Sequence, residues 1–180
     1  QPFTFSAYVK ADSLSGGGAF LRIRNSAGTA LVSGSILTGS TQPPLGNGLP
    51  TDGWERISVT LPAQDDDISI YAEMVCTATG GTAWFACPQL ETGVVANAFN
   101  LVSNGDFRYT AASGAQTLPL DWDQGANNLT TASTGAFPAS SDPNFPSALQ
   151  GGYVQVEGRP DKTLMGFVQY FDMQGSGGDI

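Results

Sequence analysis

Histidine is absent from the chain, and that gap excludes more chemistry than any other feature of the composition. Imidazole is the usual acid–base group near neutral pH and the commonest nitrogen ligand of metals, so neither a histidine-based triad nor a histidine-bearing zinc site can be built. Cysteine is almost absent as well: Cys76 and Cys87 are too few for a structural zinc site of their own. Basic residues are scarce, with Lys and Arg together numbering 7 against 16 Asp and Glu, and the formal charge of -9 disfavours nucleic acid or an anionic membrane as a partner. No run approaches the roughly 18 apolar residues that would span a bilayer, so membrane insertion is not expected. No signal peptide is visible, as in a mature or excised chain that has lost one. Only 13% of residues are charged while 41% are hydrophobic, so the surface must be largely Ser, Thr, Asn, Gln and Gly. That balance suits an extracellular or cell-surface β domain better than a cytosolic enzyme.

What is abundant is turn-forming residues: 23 glycines and 11 prolines in 180 positions, which imply many turns and argue against long helices. The length fits one domain with a real core. Phe3, Phe5, Ala7 and Val9 alternate with polar neighbours, the period of a half-buried strand. Ala19 to Arg24 follows as a second strand with Leu21 and Ile23 inward, and Thr29 to Leu37 resumes a β pattern. Residues 38–53 read as a long loop. Trp54 to Leu61, Ile68 to Cys76 and Thr82 to Leu90 are further strands, with Ile57, Val59 and Leu61, then Ile68, Ile70, Ala72 and Met74, facing inward. From Tyr109 to about Leu149 only short extended pieces are expected, and Tyr153 to Glu157 and Leu164 to Phe171 are the last clear strands. Eight or so short strands without helical periodicity predict an all-β sandwich.

Five strings carry a family likeness: Phe3 to Lys10, Gly53 to Thr60, Gly81 to Glu91, Asn104-Gly105-Asp106-Phe107, and Val154 to Gly158. They resemble the carbohydrate-binding-module-like jelly rolls (galactose-binding-like sandwiches) related to the family 4, 9 and 22 modules. The likeness is strongest to those repeated in large secreted Gram-positive surface proteins with Rhs/YD or cell-wall-anchoring regions. In such a module the Asn-Gly-Asp-Phe string opens the domain, followed by a tryptophan in a Pro-x-x-Trp context, here Pro119 to Trp122. A Gly-Asp turn, here Gly178-Asp179, runs into the strand matched by Phe3 to Val9. The halves thus stand in exchanged order. The resemblance implies one jelly roll over 1–180 built from 1–93 and 100–180 with a connector at 94–99, either circularly permuted or assembled from halves of two tandem repeats, closed within one chain or swapped between chains.

The resemblance also implies a role for the Asn-Gly-Asp-Phe region in a structural calcium site, with Asp106 as the ligand. The match is partial: Arg108 stands where a Glu is usual, and Ala86-Cys87 where the family has two Asp. Trp122 resembles the family tryptophan that plugs one end of the core, yet Asp121 and Asp123 beside it could offer oxygens to sugar hydroxyls or an ion. A sugar needs an aromatic plate beside amide or carboxylate partners, because a pyranose presents an apolar face and polar edges. Outward candidates are Tyr8, Tyr71 with Glu73, and Tyr170 with Gln169, with Tyr8 and Tyr170 expected on one surface. Trp54 and Trp84 read as core. Asp65-Asp66-Asp67 reads as a solvated loop, and Asn128-Leu129-Thr130 fits a glycosylation acceptor. Cys76 and Cys87 could bond across neighbouring strands or remain two small buried thiols. Glu55, Glu73, Glu91 and Glu157 sit in no catalytic motif, so no enzymatic activity is expected. The leading expectation is a non-catalytic module binding polysaccharide or a cell-surface glycan. The alternative is a structural or adhesive repeat that joins neighbouring repeats or subunits.

Overall fold

The computed structural model describes residues 1–41, 53–64, 68–94, 100–113, 116–123, 133–136, 152–161 and 165–173. The acidic run at 65–67, the acceptor pattern at 128–130 and the Gly-Asp at 178–179 lie outside the described residues. The chain forms β1 (Phe3–Asn25), β2 (Ala30–Ser33), β3 (Leu37–Gly39), β4 (Glu55–Leu61), β5 (Ile68–Cys76), β6 (Gly80–Thr92), β7 (Thr110–Ser113), β8 (Gln116–Pro119), β9 (Ser133–Ala136), β10 (Gly152–Glu157) and β11 (Met165–Met173). The fold is all-β: one strongly curled antiparallel sheet of nine strands, with β7 and β8 forming a small second sheet.

The two strands expected at the N-terminus are one continuous strand, and it organises the sheet. The first half of β1 pairs with β4 on one side and β6 on the other, from Phe3 opposite Leu61 and Thr92 to Asp12 opposite Thr82. Its second half pairs with β5, from Ala19 opposite Cys76 to Asn25 opposite Ile70, while β2 and β3 take the other side. The change of partners gives the sheet two arms, β4–β1–β6–β10–β9 and β1–β5–β11, with the core between them. Strands from both ends of the sequence share it, because β10 pairs with β6 and β11 with β5.

The corner between the arms needs glycine. Gly16 has φ +64°, and an added Cβ at Gly18 would stand 2.1 Å from the Leu37 carbonyl oxygen. A side chain there would push β3 off β1. Beyond the corner the alternation resumes in phase. Phe5, Ala7, Val9 and Ala11 face inward from one arm and Leu21 and Ile23 from the other, joined by Phe85, Leu90, Ile70, Met74, Val154 and Phe167. Phe107 and Trp122 close one end, with ring centroids 5.6 Å apart in an edge-on contact.

Cys76 and Cys87 are free thiols, so the alternative of a bond between them is not realised. Cys76 lies opposite Ala19 on one arm, whereas Cys87 follows Ala86, opposite Tyr8, on the other, and β1 runs between their strands. Two strand spacings are roughly 10 Å, already beyond the reach of a disulfide.

Two outcomes follow from this frame. Gly18→Ala is expected to lower stability by about 1–3 kcal/mol in urea unfolding, while Gly34→Ala, whose nearest backbone contact would be an ordinary 3.5 Å, serves as the neutral control. Burial raises the Cys76 thiol and pushes Cys87 from the usual 9.0 up to about 11. The folded state therefore holds these protons more tightly, and the associated stabilisation is present below 9.0 and lost as pH rises through about 11. At pH 8 Cys87 should react with a thiol reagent about a hundredfold more slowly than in unfolded protein, and Cys87→Ala should lessen the alkaline loss of stability.

Candidate functional site

The residues singled out in the sequence are distributed over three places. The first is a cleft of about 380 Å³ beside β11, lined by Leu101, Ser103, Asp121, Asp123, Gln169 and Tyr170 among others. Asp123 joins its wall by a two-way backbone bridge to Val168. Asp121 (φ +67°) and Asp123 are exposed, and Tyr170 is 49% exposed. Gln169 faces the cleft but is spent on structure: its amide nitrogen donates to the Ser103 and Asp121 carbonyls at 3.3 and 3.0 Å, and its Oε1 accepts from Ser103 N at 2.9 Å. Trp122 is buried, with Nε1 donating to the Ser103 carbonyl at 3.1 Å, so it supports the cleft from beneath and offers no plate.

The Asn104-Gly105-Asp106-Phe107 string holds this end together. Asn104 Nδ2 donates to the carbonyls of Tyr109 and Leu120 at 2.7 and 2.9 Å, and its Oδ1 accepts from Tyr109 N, clamping the flanks of β7 and β8. Phe107 enters the core. Asp106 is ion-paired to Arg108 at 2.8 Å, and among the described residues no group of three His, Cys, Asp or Glu side chains stands close enough to hold a metal. Arg108 thus occupies the carboxylate expected to serve calcium.

The second place is the outer side of the β1–β5–β11 arm. Glu73, expected to face outward as a ligand group, is instead buried between two arginines, accepting from Arg22 Nε at 2.6 Å and Arg24 Nε at 2.5 Å. Arg24 lies 4.0 Å over the Tyr71 ring, Tyr71 packs on Tyr170 at 5.0 Å, and the Tyr170 hydroxyl donates to Ser69 Oγ at 2.9 Å. Opposite side chains on neighbouring strands close this stack, because Glu73 pairs with Arg22 and Tyr71 with both Arg24 and Tyr170. Tyr71 and Glu73 are packing and ion-pair residues.

The third place is the outer side of the β4–β1–β6–β10 arm. Tyr8 lies there, on the other arm from Tyr170, because the two halves of β1 serve different arms; the expected common surface does not form. One row across the arm is Arg56–Tyr8–Ala86–Tyr153, and the next is Lys10–Trp84–Gln155. Trp54 lies against Tyr153 with centroids 6.3 Å apart. Both tryptophans expected in the core are therefore half-buried on the outside. The cause is parity: Ala83 and Phe85 face the core, so Trp84 between them must face out. The adjacent aromatics Trp84-Phe85 were the signal, since neighbours in a strand cannot both point inward.

Each ring is braced. Trp84 Nε1 donates to Gln155 Oε1 at 3.0 Å, with Lys10 Nζ 5.8 Å from the ring centroid. The Arg56 guanidinium lies 5.0 Å from the Tyr8 centroid while Nη2 donates to Ser6 Oγ and Gln89 Oε1, both at 2.7 Å. The Gln89 amide in turn donates to the fully buried Glu91. Four half-buried rings with an amide and two cations between them can receive a flat, partly apolar ligand with polar edges.

Removing the carboxylate between the two arginines tests the second cluster as structure. Glu73→Ala is expected to cost about 3 kcal/mol in thermal or urea unfolding, because two largely buried cations lose their counter-charge. Replacing Arg22, Glu73 and Arg24 together by apolar residues of similar size should recover most of that loss.

Comparison of the chain with protein-family models, with curated proteins and with solved structures finds no match.

Proposed function

We propose that the chain is a non-catalytic carbohydrate-binding-like module of an extracellular or cell-surface protein, folded as a jelly-roll sandwich. Its ligand surface is the outer side of the β4–β1–β6–β10 arm. One observation carries this reading: Tyr8, Trp54, Trp84 and Tyr153 lie half-buried on one sheet face, with Lys10, Arg56 and Gln155 among them. A pyranose stacks its apolar face on a ring and offers its hydroxyls to amide and charged groups at the edge, and this face supplies both. The bracing of each ring supports the reading further, since side chains already fixed lose little rotamer freedom on binding. The pairing of β10 with β6 and β11 with β5 is the connection that exchanged halves of a jelly roll would require. The cleft beside Tyr170 is the second candidate surface of the same protein.

The purified protein should be titrated with a panel of soluble and insoluble polysaccharides while its mass in solution is measured. A monomer with saturable binding is expected, weakened at least about tenfold, or 1.4 kcal/mol, by Trp84→Ala or Trp54→Ala and little changed by Tyr170→Ala. Binding lost with Tyr170→Ala alone would move the site to the cleft. No binding at all, together with a dimeric or polymeric mass, would replace this reading with the assembly role.

A further inference from the structure

We infer that this aromatic face selects anionic sugar units, holding a carboxylate or sulfate at Arg56 and Lys10 while the sugar ring lies on the aromatic side chains. The inference rests on the sugar-binding reading above and adds to it the charge of the ligand. It comes from following every cation of the chain to its partner.

There are seven basic residues. Arg22 and Arg24 share the Glu73 carboxylate, Arg108 pairs with Asp106, and Arg159 with Asp161. Lys162 lies outside the described residues. The remaining two, Lys10 and Arg56, make no ion pair among the described residues, although the chain carries more than twice as many acidic as basic side chains. Both stand on the face that holds the four rings. A cation in so acidic a chain ordinarily finds a carboxylate, so two with no ion pair among the described residues mark a place where negative charge is welcome.

Their free donors suit that charge. Arg56 uses Nη2 on Ser6 and Gln89, both neutral acceptors, which fixes the guanidinium and leaves Nε and Nη1 for a ligand. A guanidinium held this way offers single charge-assisted N–H donors on two separate edges to a carboxylate or sulfate. Among the described residues the Lys10 ammonium meets the Trp84 ring and makes no hydrogen bond, so its N–H groups can serve a ligand. Among the described residues the acidic groups of the region make no ion pair with the two cations, and Glu55, opposite the inward Val9, starts from the other face of β4 than Arg56. Glu91 accepts from the Gln89 amide whose oxygen Arg56 engages, and Asp12 and Glu157 form the next row with Thr82, where Asp12 accepts from the Ser13 and Ser40 hydroxyls. The net negative charge elsewhere is screened within about 8 Å at physiological salt, so it does not cancel attraction at contact distance.

The test is titration of the intact protein with polygalacturonate, alginate and hyaluronan, each against its carboxyl-reduced neutral counterpart, and with dextran sulfate against dextran. At least one acidic polymer should bind about tenfold or more tighter than its neutral counterpart, and the difference should shrink as salt rises to about 0.5 M. Preference in the uronate arms assigns the anion as carboxylate, and preference in the dextran sulfate arm alone assigns it as sulfate. Arg56→Gln and Lys10→Gln should each weaken acidic-polymer binding more than neutral-polymer binding and so reduce the preference. Lys10→Gln is the cleaner variant, because Lys10 contacts a ring and holds no network together. Equal binding of acidic and neutral polymers, or a preference that survives both substitutions, overturns the inference and leaves the sugar-binding reading standing. Failure to bind any polymer, acidic or neutral, overturns both.

Discussion

The structure depends on a single strand that is central twice. β1 has neighbours on both sides along both halves, so five other strands take their position from it directly. To serve two arms it must change direction without losing its inward face, and the irregularities near Asp12, Leu14 and the glycine corner do this. Two register shifts restore the original phase, so odd-numbered residues face the core on both sides of the bend, from Phe5 to Ala11 and again at Leu21 and Ile23. A corner that shifted the pattern by one would turn the arginines of the second arm inward.

The same phase fixes what each arm shows to the outside, and the two outer sides differ in kind. One carries a closed electrostatic unit: Glu73 between Arg22 and Arg24, with Arg24 resting on Tyr71 and Tyr71 on Tyr170. Its donors and acceptors largely satisfy one another at low exposure, which favours a rigid sheet over a sticky one. The other carries open chemistry, with cations resting on rings and neutral amides where carboxylates would have been plentiful. Among 16 acidic side chains in the full sequence, none makes an ion pair with Lys10 or Arg56 among the described residues.

Much of the interior was legible because strand alternation is a local property. The inward sets of β1, β4 and β5 follow directly from apolar residues at every second position, and Phe107 and Trp122 sit where a turn string and a plug were expected. The outer faces were not legible to the same degree, since they depend on which strand lies alongside. Tyr8 meets Arg56, Ala86 is flanked by Tyr8 and Tyr153, and Trp84 meets Gln155, contacts that join residues about fifty to eighty positions apart. Glu73 looked like an exposed partner for Tyr71 because nothing near it in sequence reveals two arginines on the neighbouring strand. The outward direction of Trp84 was available from its neighbour Phe85 and was obscured by the habit of assigning tryptophan to the core.

The bracing of the aromatic face bears on both its structural role and the binding role proposed for it. Tyr8, Trp84 and Trp54 stabilise the sheet by covering their neighbours, as the complete burial of Ala86 between Tyr8 and Tyr153 shows. The contacts that do this, cation over ring and indole to amide, also hold the rings in place. A ring that is held but only half covered has already lost its rotamer freedom and keeps one side to offer. Stability and pre-organisation are therefore supplied by the same interactions. What separates a binding face from an ordinary packed one is the chemistry left over once the packing is satisfied. On this arm that remainder is two cations that make no ion pair among the described residues.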